Sequence, residues 1–418
     1  MDFNALCKLL IIKGDDGMIK IQRIERHNIC RGHPMWKDCD LLCLQAKNLY
    51  NYANYIQRHN FLDKKEIIKY KDFTYELKTH QPFKDIGSNS GQHVLKMLER
   101  NWKSFFVAIK DYSKYPDKYL GKPHIPKYLK KNGRYVCVLT NMQSQVKNGY
   151  LFFAFKRLKP YNNMFRTKIQ GKHLQTRIVP KGNNYILEIV YEQEIIEPTN
   201  NNNRLASIDL GVNNLITLTN NIGVKPIIIN GKKIKADNQY YNKQKAKLQS
   251  QLKKNTGKDW SNKLQKLTDK RYWKMEYNMH KISKYVIDWC VDNNIDTLIV
   301  GLNKTWKQDT QHKQNFIYIP YDNLIHKITY KAENVGIKVV VTEEAYTSGT
   351  SFLDNELPIK ENYNISRRIT RGLFKSNTGK IINADVNGSL QIIKKVFSNA
   401  YANEIEGLDL TPSIVNLL

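Results

Sequence analysis

Apolar residues recur along this chain at two different periods. After Pro34, Leu41, Leu42, Leu44, Ala46, Leu49, Tyr50, Ala53 and Ile56 follow a helical spacing, and Val94, Leu95, Leu98, Trp102, Phe105, Phe106 and Ile109 do so again. The chain opens differently: Leu9–Lys13 and Met18–Ile24 are β-rich runs flanking Gly14-Asp15-Asp16-Gly17, a turn-forming tetrad that predicts a hairpin. Pro116, Gly121, Pro123 and Pro126 then punctuate the chain. Beyond them short β-like runs such as Tyr135–Thr140, Tyr150–Phe155 and Tyr185–Tyr191 alternate with Gly/Asn turns. The pattern predicts a β-module from residues 1–32 and 115–200, interrupted by a helical domain at 33–114.

The polar stretch Glu197-Pro198-Thr199-Asn200-Asn201-Asn202-Asn203 reads as a linker. After it the predicted order is strand (Leu205–Asp209), strand (Leu215–Thr219), strand (Lys225–Ile229), two long Lys-rich helical stretches, strand (Thr297–Val300), helix (Tyr321–Val335), strand (Lys338–Thr342) and helix (Asp385–Phe397). Three strands, then strand-helix-strand and a capping helix, is the RNase H-like order. The expected fold is therefore a multidomain α/β protein. Its second domain spans 204–397 with a helical insertion at 236–294, and a tail follows at 398–418.

Charge narrows the function. The chain carries 67 Lys+Arg against 38 Asp+Glu, a net +29, and the excess is clustered. From Lys118 to Leu187 there are fifteen Lys/Arg and no acid, and from Lys232 to Lys258 nine Lys oppose only Asp237. Such blocks attract polyanions, and 25 Tyr, 14 Phe and 6 Trp offer stacking surfaces for bases. Lys122, Lys127, Lys130, Lys131 and Arg134 are the first candidates for nucleic-acid contact. The six cysteines are scattered without a C-x-x-C pair, as expected of reduced thiols. No run approaches the roughly 18 apolar residues of a membrane span, and the opening Met1-Asp2-Phe3 is unlike a secretory signal, so the expected location is cytoplasmic.

The chemistry expected of an RNase H-like sheet is carboxylate chemistry. One acid sits on the first strand and another on the closing helix, and Asp209 and Asp385 fill those positions. Gly211 lets the chain turn after Asp209. Gly388 and Ser389, three and four residues beyond Asp385, read as a surface left open for a substrate backbone.

These segments resemble a known family. Ser207-Ile208-Asp209-Leu210-Gly211-Val212-Asn213-Asn214-Leu215 is similar to the first RuvC motif of TnpB proteins, and Ile382-Asn383-Ala384-Asp385-Val386-Asn387-Gly388-Ser389 to their third. Gly301-Leu302-Asn303-Lys304-Thr305-Trp306-Lys307-Gln308, Glu343-Glu344-Ala345-Tyr346-Thr347-Ser348 and Lys47-Asn48-Leu49-Tyr50-Asn51-Tyr52-Ala53-Asn54-Tyr55 resemble the branch often labelled transposase OrfB. The resemblance implies an RNA-guided DNA endonuclease of bacterial, nucleoid-associated kind, related to type V CRISPR effectors. It would hold a guide RNA, meet double-stranded DNA beside a short flanking motif, and use two magnesium ions, with manganese as a substitute.

Two departures stand out. Gly301 replaces the family's usual second carboxylate, and no cysteine follows Cys290, so no structural zinc is expected. A replacement acid is available on the next strand, one spacing of roughly 4.8 Å further from Asp209. By resemblance Glu344, three residues before Thr347, fits better than Glu343. Strand parity does not separate the two if both sheet faces are covered. Arg367, Arg368 and Arg371 read as phosphate ligands near the site, with pairing to Asp354, Glu356 or Glu361 as the alternative, and Lys307 joins the basic candidates. A non-cleaving RNA-guided repressor is the rival reading, favoured by Gly301, and a guide-free junction resolvase is a third.

Overall fold

The computed structural model describes residues 12–13, 19–194, 202–302, 319–370, 372–401 and 409–418. They fall into two compact units, Met1–Glu194 and Ile195–Leu418.

In the first unit, β1 (Ile12–Lys13) pairs antiparallel with β2 (Ile19–Ile29). The Gly14–Gly17 tetrad lies outside the described residues. Four helices follow: α1 (Trp36–Lys64), α2 (Tyr70–Leu77), α3 (Gln81–Ile86) and α4 (Ser88–Lys114). Next come β3 (Cys137–Thr140), β4 (Ser144–Lys147), β5 (Tyr150–Phe153), β6 (Lys172–Lys181) and β7 (Asn184–Glu194). The main sheet has the order β1-β2-β7-β6-β3, and β4-β5 is a separate hairpin. Gly182, at φ +59°, and Asn183 turn β6 into β7, as tight hairpins require.

The α1 helix buries Cys39, Leu42, Cys43, Ala46, Leu49, Tyr50 and Ala53, a stripe at spacings of three and four. Its polar residues do a second task. Asn51 exchanges two hydrogen bonds with the Leu129 backbone (2.9 and 2.8 Å), Asn54 and Arg58 donate to the Pro126 carbonyl, and Lys47 donates to the Lys131 carbonyl. Segment 126–131 is thereby pinned to the helix while its lysines face solvent.

The second unit holds β8 (Leu205–Leu210), β9 (Asn214–Asn220), β10 (Ile227–Asn230), α5 (Lys232–Thr256), α6 (Asn262–Asp292), β11 (Thr297–Leu302), α7 (Tyr321–Glu333), β12 (Lys338–Glu343), β13 (Leu373–Lys375), β14 (Ile381–Asn383), α8 (Ala384–Val396) and β15 (Ser413–Val415). Its sheet has the order β12-β11-β8-β9-β10-β15. The β8-β9-β10 strands run antiparallel, β11 and β12 join β8 in parallel, and β15 pairs in parallel with β10. The small β13-β14 hairpin and β15, at three residues a strand, are too short to show a period in the sequence.

Strand alternation sorts the side chains onto two faces. Ala206, Ile208, Leu210, Leu298 and Val300 pack in one core with α6 and α7, while Leu205 and Ile299 pack in another with α8. On the first side, Lys327 of α7 donates to Glu276 of α6 at 2.6 Å, with 5% and 13% of the two side chains exposed. A hydrogen bond from His280, then those of Lys327 and its charge, hold the Glu276 carboxyl at about 2 against the opposing effect of burial. The folded value lies below the ordinary 4.5, so the stabilisation is complete above that pH and is lost as pH falls toward 2. Glu276→Gln is expected to cost roughly 3–5 kcal/mol at neutral pH, because the buried Lys327 loses the negative charge opposite it. The deficit should shrink between pH 4.5 and 2 in denaturant titrations.

Candidate active site

Ser207 and Asp209 are two apart on β8 and so share a face, as Ser389 and Asp385, four apart, share a face of α8. A buried hydroxyl cluster joins the two elements: Ser207 Oγ donates to the Ser389 carbonyl at 2.6 Å and lies 2.9 Å from both Ser389 Oγ and Thr219 Oγ1. Thr219 is the cross-strand partner of Ser207. With that junction fixed, Asp209 and Asp385 are brought toward each other at one end of the sheet.

Gly388 completes the junction. A methyl group there would stand 3.1 Å from Asp209 Oδ2, tight enough to displace the carboxylate. Gly388 and Ser389 are both buried. They serve the contact between helix and strand, which corrects the expectation that they leave room for a substrate backbone.

Asn383 caps α8, its side chain accepting from the backbone N–H groups of Asp385 (3.0 Å) and Val386 (3.1 Å), and so sets the first turn that carries Asp385. Asp385 Oδ2 accepts from Asn214 Nδ2 at 2.6 Å, and its Oδ1 lies 3.4 Å from Arg368 Nη2.

The third acid enters from β12. Val340 packs with the α8 core and Val339 with the opposite one. Alternation from Val340 through Thr342 leads to the α8 face at 344 and away from it at 343. Parity therefore does distinguish the two glutamates, contrary to the reading from sequence. Glu343 is exposed, while Glu344 is half-buried with Oε2 3.3 Å from where a Cβ at Gly301 would stand. The Glu344 side chain thus lies across the bare backbone of Gly301. Thr347 hydroxyl donates to the Glu344 carbonyl at 2.8 Å, and Lys395 of α8 donates to the Ala345 carbonyl at 2.7 Å.

The electrostatics register this crowding. Burial, then the charges of Glu344 and Asp385, raise the Asp209 carboxyl well above the ordinary carboxylate range, with Arg368 and the Leu210 backbone N–H acting in the other direction. Tyr321, at the start of α7, donates to the Gly211 carbonyl at 2.8 Å. Burial, followed by the charges of Glu344 and Asp209, pushes its hydroxyl up as well. Tyr321 is therefore a residue of the site that the sequence did not single out, and Asn214 one that it named only as part of the motif around Asp209. Neither carries a charge, and only their partners reveal them.

Among the described residues no three His, Cys, Asp or Glu side chains are arranged to hold a metal ion as they stand. The donor chemistry nevertheless fits a hard divalent cation, since Asp209, Glu344 and Asp385 offer only carboxylate oxygens. Repulsion among these acids is what such an ion would relieve.

The basic candidates divide. Arg367 is spent internally: it forks onto Glu356 with two 2.8 Å bonds, donates to the Gly349 and Asn362 carbonyls and covers the Phe374 ring. Arg134 likewise forks onto Asp40 with two 2.9 Å bonds. For Arg367 these contacts favour the alternative of internal pairing over phosphate binding, and Arg134, expected at the nucleic acid, is likewise engaged within the protein. Lys122, Lys127, Lys130 and Lys131 are exposed, and Arg368 is half-exposed beside Asp385. Lys307 and Arg371 lie outside the described residues.

The family model OrfB_IS605, described as a probable transposase, matches residues 188–307, and the model of the Cas12f1-like TNB domain matches residues 321–392. A TnpB-like protein, ORF457, of Acidianus two-tailed virus is 24% identical over 442 residues, covering 94% of this chain and 91% of its own length. Among solved structures, Cas12f1 in its complex with sgRNA and target DNA aligns with a TM-score of 0.53 and 14% identity, over 86% of this chain and 82% of that one. That likeness is one of fold.

Proposed function

Because the chain is a TnpB-type relative of the type V effectors, we propose that it is an RNA-guided DNA endonuclease whose second unit is a RuvC-like nuclease domain. The observation that carries the reading is the gathering of Asp209, Glu344 and Asp385 on one face at one end of the sheet, brought in from β8, the end of β12 and α8. Magnesium ions, or manganese in their place, would be held by these three acids and would supply an activated water and stabilisation of the leaving oxygen. Asn214 fixes one oxygen of Asp385 and leaves the other toward the site. Tyr321 anchors the backbone just beyond Asp209. Arg368 offers a guanidinium for a phosphate at the same place.

The partners proposed are a guide RNA and a double-stranded target with a short flanking motif. Base pairing would read the sequence while the protein contacts backbone. Lys127, Lys130 and Lys131, projected from a segment that α1 holds in place, and the exposed Lys122 before it are proposed as backbone contacts in the first unit. No described helix is long and apolar enough to cross a membrane.

A non-cleaving, RNA-guided repressor is the second reading, favoured by Gly301 in place of the family's usual second carboxylate. Cleavage of a matched DNA duplex in magnesium, by protein purified with its own RNA, separates the two. With a net charge of +29 the protein is expected to purify with bound RNA. Its affinity should fall by roughly 10³-fold or more between 50 and 200 mM salt if six or more phosphates are contacted. Protein that purifies free of RNA, or binding that ignores salt, would count against the guided reading.

A further inference from the structure

Arg367 and Arg368 are adjacent in sequence and opposite in circumstance. The Arg367 guanidinium is locked by Glu356, two backbone carbonyls and the Phe374 ring, so the backbone beside it is anchored. From that anchored stretch Arg368 extends a side chain that is 30% exposed and makes one side-chain contact among the described residues, 3.4 Å to Asp385 Oδ1. That distance is at the long edge of a hydrogen bond, whereas the bonds of Arg367 to Glu356, Gly349 and Asn362 are 2.8–2.9 Å. The other Asp385 oxygen is held by Asn214 at 2.6 Å. Arg368 is also the cation that acts on Asp209 against Glu344 and Asp385. Two of the three acids thus feel the same guanidinium, Asp385 by contact and Asp209 through its charge.

We propose that Arg368 is the built-in counter-ion of the metal-free carboxylate cluster, yielding its place to a divalent cation and pairing with a substrate phosphate once displaced. The inference rests on the reading of Asp209, Glu344 and Asp385 as metal ligands. A guanidinium and a divalent ion repel each other at contact distance, so the two compete for the same carboxylates. The fork of an arginine matches a phosphate as well as a carboxylate, so the displaced side chain has a destination at the site. A loose contact on a rigid backbone is what such an exchange needs. By linkage, nucleic acid that draws Arg368 away strengthens metal binding, and metal strengthens nucleic-acid binding by the same factor.

The test is a magnesium titration of the full chain without added DNA, read as the thermal unfolding midpoint, for the parent, Arg368→Gln, Arg368→Lys and Asp209→Asn. Arg368→Gln should melt a few degrees lower than the parent in chelator but equally at saturating magnesium. Its half-saturating magnesium concentration should fall roughly fivefold, the upper range for a part-exposed ion pair. If Arg368→Gln does not fold, Arg368→Lys, which keeps the charge on a shorter reach, should show the same two changes at smaller size. Equal destabilisation with and without magnesium, at an unchanged half-saturation point, would mean that Arg368 is only structural and would overturn the proposal. A parent that does not respond to magnesium, or an Asp209→Asn variant that responds in full, would overturn the metal-site reading itself.

Discussion

Replacing Asp209 or Asp385 by alanine is expected to lower guided DNA cleavage by roughly 10³-fold or more. Each change removes several kcal/mol of charge stabilisation at the reacting centre, and about 1.4 kcal/mol is a factor of ten. Guided binding should be nearly unchanged, because each change removes metal ligation and little packing. Asp209→Asn keeps the shape and carries a second expectation. The folded-state value of Asp209 is raised, so its ionisation favours unfolding, and the stability this group adds at low pH is lost as pH rises from the ordinary carboxylate range through the folded value. The amide does not ionise, so in chelator at neutral pH the variant should melt above the parent while failing to cut. Cleavage near the parent rate in magnesium by either alanine variant would show that the site has been misplaced.

The second large effect concerns the displaced acid. Glu344→Ala should lose cleavage as completely as Asp209→Ala, whereas Glu343→Ala, which removes an exposed strand-end acid on the other parity, should keep most of it. Gly301 is part of the same device. A methyl group there would stand 2.5 Å from Ile392 Cδ1 and 3.3 Å from Glu344 Oε2, and Ile392 is fully buried. Gly301→Ala should therefore shift the glutamate and lower cleavage by about 10²-fold, the scale of an ångström's misplacement. A glutamate restored at 301 meets the same obstacle. Gly301→Glu is expected to rescue Glu344→Ala only when combined with Ile392→Val, which removes the clashing Cδ1. Rescue without that change, or normal cleavage by Glu344→Ala, would break the link between the two positions.

Much of the architecture can be read from the pattern of apolar residues, for definite reasons. The α1 stripe from Cys39 to Ala53 and the strands β8, β9 and β11 are dense in apolar side chains, so their periods are unambiguous. The β4 and β6 strands are not: Ser144–Lys147 and Lys172–Lys181 are largely polar or basic and owe their state to neighbours in the sheet. At the candidate site, Asp209 and Asp385 are visible because the motifs around them resemble a known family and hold the two acid positions of an RNase H-like sheet; an acid ending a strand or opening a helix is by itself ordinary. Gly388 and Ser389 are equally visible, but their sequence does not reveal whether a small residue faces a substrate or another backbone. Arg367 and Arg368 show the same limit from the side of charge. Two identical neighbours take different roles because Glu356, Gly349, Asn362 and Phe374, scattered along the chain, meet only one of them.

The hydrogen bond between Asn214 and Asp385 joins residues 171 apart in sequence, and the hydroxyl junction beneath it spans a similar distance. During synthesis, therefore, β8 leaves the ribosome long before the helix that completes its end of the sheet. Domains generally fold in order of emergence, so the first unit has time to fold while Asp209 still lacks its opposite acid. A nascent chain, or a fragment cut anywhere between residues 195 and 384, would keep the basic first unit without the assembled carboxylate site. Such products would compete with the intact protein for nucleic acid, and premature termination would yield inhibitors rather than rogue nucleases.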